Sequence, residues 1–369
     1  MARFLFFFPV LFIVLLLLVS LIGCESLSYY RHLATGQVRT LASRQSIESL
    51  IANPGTDETL RENLQMVLSI REFAKNELHL PADGQFLYYV DHGNTATVWN
   101  VYTAPELSMS PLTWCFPIVG CTVYKGFFDP GKAWELADQL KKEGKDVYVS
   151  AVGGYSTLGW FSDPIFRNII DRGEVGMAAY IFHELAHKVV YIKNDTHFNE
   201  GFAIAVEHEG VRRWLESRGR NELYEQFIRR YQKRIEFSFL VKNTRTSLAR
   251  LYNTPEMAIP DKRYQKTRLF EQMQADYQDL KYNWGGYSGY DNWFASPLNN
   301  ARLIPFGAYY DHVPAFINML RASGGDMAHF YEMVIRLSQK PRMERNRILK
   351  EYESMTYIEA ARAEPERYF

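Results

Sequence analysis

His183-Glu184-Leu185-Ala186-His187, with Asn199-Glu200-Gly201-Phe202-Ala203 beginning twelve residues after it, constrains this chain more than any other feature. HExxH on a helix sets two imidazoles one turn apart on one face, where both reach a single metal ion. Glu184 falls beside them, placed to act on a water at that metal. Glu200 offers a third donor from a second helix and leaves a fourth position open. The chain must therefore bring two helices together across the short connection Lys188 to Asn199, with His183, His187 and Glu200 converging on one point. Structural zinc sites are closed by four protein ligands, whereas a site with an open position is catalytic.

The neighbouring polar residues sort around that point. His197 follows His187 after nine intervening residues, too far for a metzincin ligand, and the glycine such a turn requires is absent. His208 lies two helical turns and one residue beyond Glu200, off the ligand face. Both read as surface or supporting histidines. Glu207 returns close to the ligand face; it either orients an imidazole from behind or is an ordinary solvated or core-edge glutamate. Asp195 and Thr196 either cap the second helix or hydrogen-bond a ligand imidazole. The first helix is expected from near Glu174 past His187, and the second from about Asn199 to Ser217.

The segment 183–210, HELAHKVVYIKNDTHFNEGFAIAVEHEG, resembles the zinc aminopeptidases of the gluzincin clan, which share HELAH and NEGFA followed by Val-Glu and use a longer spacer. From about Tyr29 to beyond Pro314 the chain resembles a smaller bacterial family of predicted aminopeptidases, many of them lipoproteins. Trp114-Cys115-Phe116-Pro117, Tyr155 to Phe161 and Asn299-Asn300-Ala301 are among the matching stretches. The resemblance implies an α+β, zincin-like (thermolysin-like) fold with a strand-rich lobe before the HExxH helix and a largely helical C-terminal lobe. It implies one Zn2+ on His183, His187 and Glu200, with Glu184 as general base and a peptide as substrate. It also implies a downstream tyrosine that stabilises the oxyanion. Tyr309 holds the matching place, with Tyr310 next to it, unless Tyr309 is a core tyrosine.

One departure bears on the substrate. The clan's aminopeptidases carry Gly-x-Met-Glu-Asn on an edge strand before HExxH, and its glutamate binds the free amine. Here the comparable place reads Gly153-Gly154-Tyr155-Ser156-Thr157, without an acid. Gly153, Gly154 and Tyr155 either border a bound peptide or form a tight turn. Aminopeptidase action is therefore the first expectation, and a zinc endopeptidase or envelope amide hydrolase the alternative. A non-catalytic zinc-binding lipoprotein is a third, against which the general base Glu184 argues.

Residues 1–24 read as a lipoprotein signal. Arg3 precedes an almost wholly apolar run, Phe4 to Ile22, and Leu21-Ile22-Gly23-Cys24 fits a bacterial lipobox in which Cys24 is acylated. An uncleaved anchor is the competing reading. Either one exports the body and tethers it to a membrane of the bacterial cell envelope, facing the periplasm. In that oxidising compartment Cys115 and Cys121 either close a small disulfide or remain thiols. The 42 basic and 42 acidic side chains leave no basic footprint for nucleic acid.

Residues 25–175 are expected as an N-terminal α/β lobe including the edge strand, and 176–369 as the zinc-site helices and helical C-terminal lobe. Leu60, Leu64, Val67 and Leu68 recur at helical spacing. Phe86 to Val90, Thr97 to Tyr102 and Val147 to Val152 read as strands, and Asp129-Pro130 opens a helix that Gly144 ends. The Gly/Tyr/Trp-rich stretch from Tyr282 to Phe294 reads as a loop bordering the cleft. Arg229-Arg230 and Lys233-Arg234 read as solvated faces.

Overall fold

A computed structural model describes residues 24–93, 98–116, 120–152, 162–306 and 312–355. Helix α1 (Cys24–Ala42) leads through β1 (Gln45–Ser46) to α2 (Ile47–Ala52) and α3 (Glu58–Asn76). Strands β2 (Tyr88–Val90), β3 (Val98–Pro105), β4 (Trp114–Phe116), β5 (Gly120–Thr122) and β6 (Tyr124–Phe127) follow. Next come α4 (Pro130–Lys142), β7 (Lys145–Val152) and β8 (Ile165–Phe166). The remainder is helical: α5 (Arg167–Ile170), α6 (Gly173–Val189), α7 (Thr196–Ser217), α8 (Asn221–Tyr252), α9 (Ile259–Asn283) and α10 (Asp291–Phe294). A 3-10 segment (Asn300–Phe306) precedes α11 (Val313–Ala322), α12 (Met327–Ser338) and α13 (Arg342–Ser354). Helices and small sheets are thus mixed, with the strands ahead of α6.

Local chemistry accounts for these elements. Asp57 caps α3 by accepting from Leu60 N at 3.1 Å, and Leu64, Val67, Ile70 and Ala74 form its buried stripe. Asp129 accepts from Gly131 N at 2.8 Å, Pro130 supplies a preset first turn, and the chain leaves α4 through Gly144 at φ +75°. The largest sheet is antiparallel, in the order β6-β3-β7, with Tyr102 on β3 opposite Tyr124 on β6 and Tyr148 on β7. A second sheet runs β1-β2-β8, with β2 and β8 parallel. Strands β4 and β5 form a hairpin in which Cys115 pairs with Cys121, and the two are joined by a disulfide.

The principal core gathers α2, α3, β2, β8, α5, α6, α7 and α11 to α13, drawing residues from both sides of position 175. Phe182, Phe198, Phe202 and Phe316 are fully buried within it, each contributing about 1.5–3 kcal/mol. The aromatic stretch from Tyr282 to Phe294 does break the helices, with turns and coil over 284–290 between α9 and α10, and most of its rings are packed. Tyr290 stacks on Phe237 of α8 at 3.9 Å, and Trp293 and Phe294 meet the same ring edge-on. Gly285 and Gly286 make the turn at positive φ, and of the stretch's rings only Tyr282 is exposed, at 84%. Among the described residues no helix is long and apolar enough to cross a membrane. The apolar run before Cys24, the stretch Gly153 to Tyr155, and Tyr309 with Tyr310 lie outside the described residues.

Candidate metal centre

The site is made by two helices held in antiparallel contact. Gly210 of α7 lets that helix close on α6, since a Cβ there would stand 2.6 Å from Phe182 Cδ2. Gly201 does the same on the other side, where a Cβ would meet His312 Cβ at 3.1 Å. Trp214 Nε1 near the end of α7 donates to Glu174 Oε1 at the start of α6, at 3.0 Å. Between the helices the chain turns through Asn194 in the left-handed region, φ 63°, which asparagine tolerates. The turn is pinned by the buried Asn199, whose Oδ1 accepts from Ile192 N and whose Nδ2 donates to Ile192 O, both at 2.8 Å. Glu200 is the next residue, so its position relative to α6 is fixed by that pair of bonds.

Helix α7 begins at Thr196, three residues before the expected start, because Asp195 is its cap and accepts from Phe198 N at 3.4 Å. The other oxygen of Asp195 accepts from Arg345 Nη2 of α13 at 2.5 Å, with both side chains buried. This pair ties the C-terminal helix to the root of the ligand helix. Asp195 reaches a cap and an arginine, not an imidazole.

Three donors converge. His183 Nε2 and His187 Nε2 stand 3.2 Å apart, and Glu200 oxygens lie 3.4 Å from the first and 3.7 Å from the second. A tetrahedral ion with ligands at about 2.0–2.1 Å has ligand–ligand edges of roughly 3.3 Å. The observed spacings match that figure, so this His-His-Glu group is able to hold a metal ion. Behind it, His183 Nδ1 donates to Glu207 Oε2 at 3.0 Å, which fixes the tautomer that turns the Nε2 lone pair toward the other donors.

The electrostatics favour a cation. Burial works against charge on His183, yet its bonds to Glu200 and Glu207 prevail and raise its pKa to about 10. Burial and the charge of His183 push His187 down to about 4. Burial opposes ionisation of Glu200 and Glu207, but the bond to His183 keeps both below the usual glutamate value. Burial lifts Glu184 to about 7, reinforced by the charges of Glu200, Asp163 and Glu207. Glu184 is half-buried and has no hydrogen-bond or ion-pair partner among the described residues. A carboxylate kept free beside paired imidazoles is available to exchange a proton.

Other residues border the site. Tyr191 presents its ring edge-on to His187 at 6.2 Å and is 51% exposed. Tyr124 of β6 lies in the field of Glu200 and Tyr191. Arg234 of α8 is exposed, as expected of a solvated face, and acts electrostatically on Glu200 and Glu207. The hairpin β4-β5 leans on the inter-helix turn, where a Cβ at Gly120 would stand 3.1 Å from Lys193 Cε. His208 is buried, 3.8 Å from the Tyr231 ring, not at the surface. His197 is half-buried and faces His312 at 6.5 Å. Asn199 carried a sequence signal as a letter of its motif. Tyr191 lies four residues past His187, one turn on, and was open to the same reasoning. Tyr124 and Arg234 arrive from distant elements and carried no local signal.

The family model Aminopep, described as "putative aminopeptidase", matches residues 28–349. No curated protein and no solved structure matches the chain.

Proposed function

The chain belongs to the putative aminopeptidase family, and from that premise we propose that it is a zinc metallopeptidase, an aminopeptidase tethered to the bacterial envelope through an acylated Cys24. The observation that carries the metal reading is the convergence of His183, His187 and Glu200, with Glu207 behind them and Glu184 beside them, unpaired among the described residues. His183, His187 and Glu200 would hold the ion, in the arrangement of a gluzincin within a zincin-like fold. When bound, zinc lowers the pKa of a water toward neutrality and polarises a scissile carbonyl. Glu184 accepts the proton that water gives up and passes it to the departing amine. Glu207 keeps His183 in the ligating tautomer, and Asn199 keeps Glu200 in register with α6. The oxyanion donor is assigned to Tyr309 and the border of the peptide to Gly153, Gly154 and Tyr155; all four lie outside the described residues.

The missing acid in Gly153 to Thr157 favours a second reading, an endopeptidase on the same site that needs no free amine. Detergent-solubilised full-length protein, assayed for metal and for cleavage of paired free-amine and N-acetylated peptides, separates the two. One zinc per chain with cleavage of the free-amine peptide only is the expected result. Equal cleavage of the acetylated partner would make it an endopeptidase. Bound zinc with neither peptide cleaved would remove the peptidase assignment.

Glu207 gives a subtler prediction. Glu207→Gln removes the charge behind His183 while keeping its shape, and should weaken zinc binding by about 10–100-fold, as for comparable partners of ligating histidines. Competition with a chromophoric chelator measures this, and unchanged affinity would leave Glu207 with no part in the site.

A further inference from the structure

One face of α6 stays within reach of solvent along its length. Gly176, Tyr180 and Glu184 are partly exposed, whereas Met177, Ile181 and Leu185 beside them turn into the core. The first three recur at four-residue spacing and so form one strip, which ends at the proposed general base. At the other end of the strip, just before the helix begins, lies the exposed Arg172.

The side chain of Arg172 runs along that strip. The chain enters α6 through Gly173 at φ +72°, and the stem of Arg172 lies back over the first turn. A Cβ at Gly176 would collide with Arg172 Cβ and stand 3.5 and 3.6 Å from its Cγ and Cδ, so the glycine leaves room for the stem. Beyond it the guanidinium reaches Tyr180, with Cζ 5.8 Å from the ring centre. Glu184 is one turn further on, about 6 Å along the helix axis. Helical side chains lean toward the N-terminus, in this case toward Arg172.

Among the described residues no carboxylate or carbonyl accepts from the Arg172 guanidinium. The residue is exposed, yet burial is the chief influence on its head and lowers its pKa; Tyr180, Glu184 and Glu207 oppose the shift and Arg234 adds to it. A charged head set among protein groups, on a side chain that solvent still reaches, describes a concavity open to water. Glu207 is committed to His183, and Glu184 to proton transfer, so neither is a standing partner for Arg172. Arg234 of α8 acts on Arg172 as well as on Glu200 and Glu207, which adds a second positive charge to the same surroundings. Such a place favours an anion.

We propose that Arg172 receives a carboxylate on the leaving fragment of the peptide substrate, about two or three residues beyond the bond that is cut. The inference rests on the peptidase reading above. Glu184 passes its proton to the departing amine, so the leaving fragment lies on the Glu184 side of the metal ligands, and the strip continues from there past Tyr180 to Arg172. An extended chain advances about 3.3 Å per residue, so one helical turn plus the distance from Tyr180 to the guanidinium spans roughly two or three residues. A carboxylate is the planar anion that a guanidinium binds through two parallel hydrogen bonds. The anion is either the free C-terminus of a short peptide or an acidic side chain.

Detergent-solubilised, zinc-loaded full-length protein tests this with three free-amine tetrapeptides of one core sequence: free acid, C-terminal amide, and amide with a terminal aspartate. In the wild type at least one anionic peptide should exceed the plain amide by about tenfold or more in kcat/KM, as for a hydrogen-bonded charge. Arg172→Gln should bring that ratio close to one, and Arg172→Lys should give an intermediate value. A preference for the free acid alone assigns the anion to the C-terminus; an aspartate amide that matches or exceeds the free acid shows that a side chain serves. A merely solvated or structural Arg172 would leave the ratio where it is in both variants, which overturns the proposal, as does equal cleavage of all three peptides by the wild type. If no peptide is cleaved, the peptidase reading fails separately. Titration of the same three peptides, fluorescently labelled, then decides for Arg172: tighter binding of an anionic peptide that is lost in Arg172→Gln supports it, and equal binding refutes it.

Discussion

Glu184→Ala should keep its zinc and lose its turnover. The three donors His183, His187 and Glu200 do not touch the Glu184 carboxylate, so metal content per chain is expected to stay at the wild-type value. Removing a positioned general base costs about 10²–10⁴-fold in rate. Burial and the surrounding carboxylates hold Glu184 near 7 for the protein groups alone, and a bound dication would draw that value down. Below its pKa Glu184 is protonated and cannot take a proton, so wild-type kcat/KM should fall toward acid at or below pH 7. In the alanine variant the residual rate should lose that acid limb. Atomic absorption together with a pH–rate profile makes the check; full activity in Glu184→Ala would remove the residue from the chemistry.

Glu200→Ala should act in the opposite place, on the metal itself. It removes one of three ligands and the negative charge that lies 3.4 and 3.7 Å from the two imidazole nitrogens. The loss in zinc affinity should exceed the 10–100-fold typical of a residue behind a ligand, and therefore exceed that of Glu207→Gln. Turnover would fall with occupancy and recover in part at high zinc. Asn199 still clamps the turn through Ile192, so the fold should survive and the loss be assignable to the ligand. Normal zinc binding with wild-type turnover in this variant would mean that the central assignment is wrong.

The residues legible in the sequence are those whose spacing alone sets their direction. His183 and His187 are one turn apart, and Glu207 returns to the face of Glu200 after seven residues, so helix geometry places them. Asp129 announced its helix because a cap is local chemistry. Asn199 was legible only as a letter; that it staples Ile192 depends on how the turn closes. Arg345 and Tyr124 reach their positions through sheet register and long-range packing, which no local pattern encodes. For His208 the sequence left a surface and a supporting place both open, because its burial depends on Tyr231, a residue of the following helix.

The bond between Asp195 and Arg345 spans 150 positions. During synthesis every proposed zinc ligand has emerged long before the arginine that neutralises the root of α7, the helix of Glu200. Until α13 docks, the chain carries a carboxylate whose burial without its partner costs about 3–5 kcal/mol. Assembly of the centre is thereby coupled to synthesis of α13: a chain cut short before residue 345 holds all the ligands yet lacks the contact that anchors the start of α7.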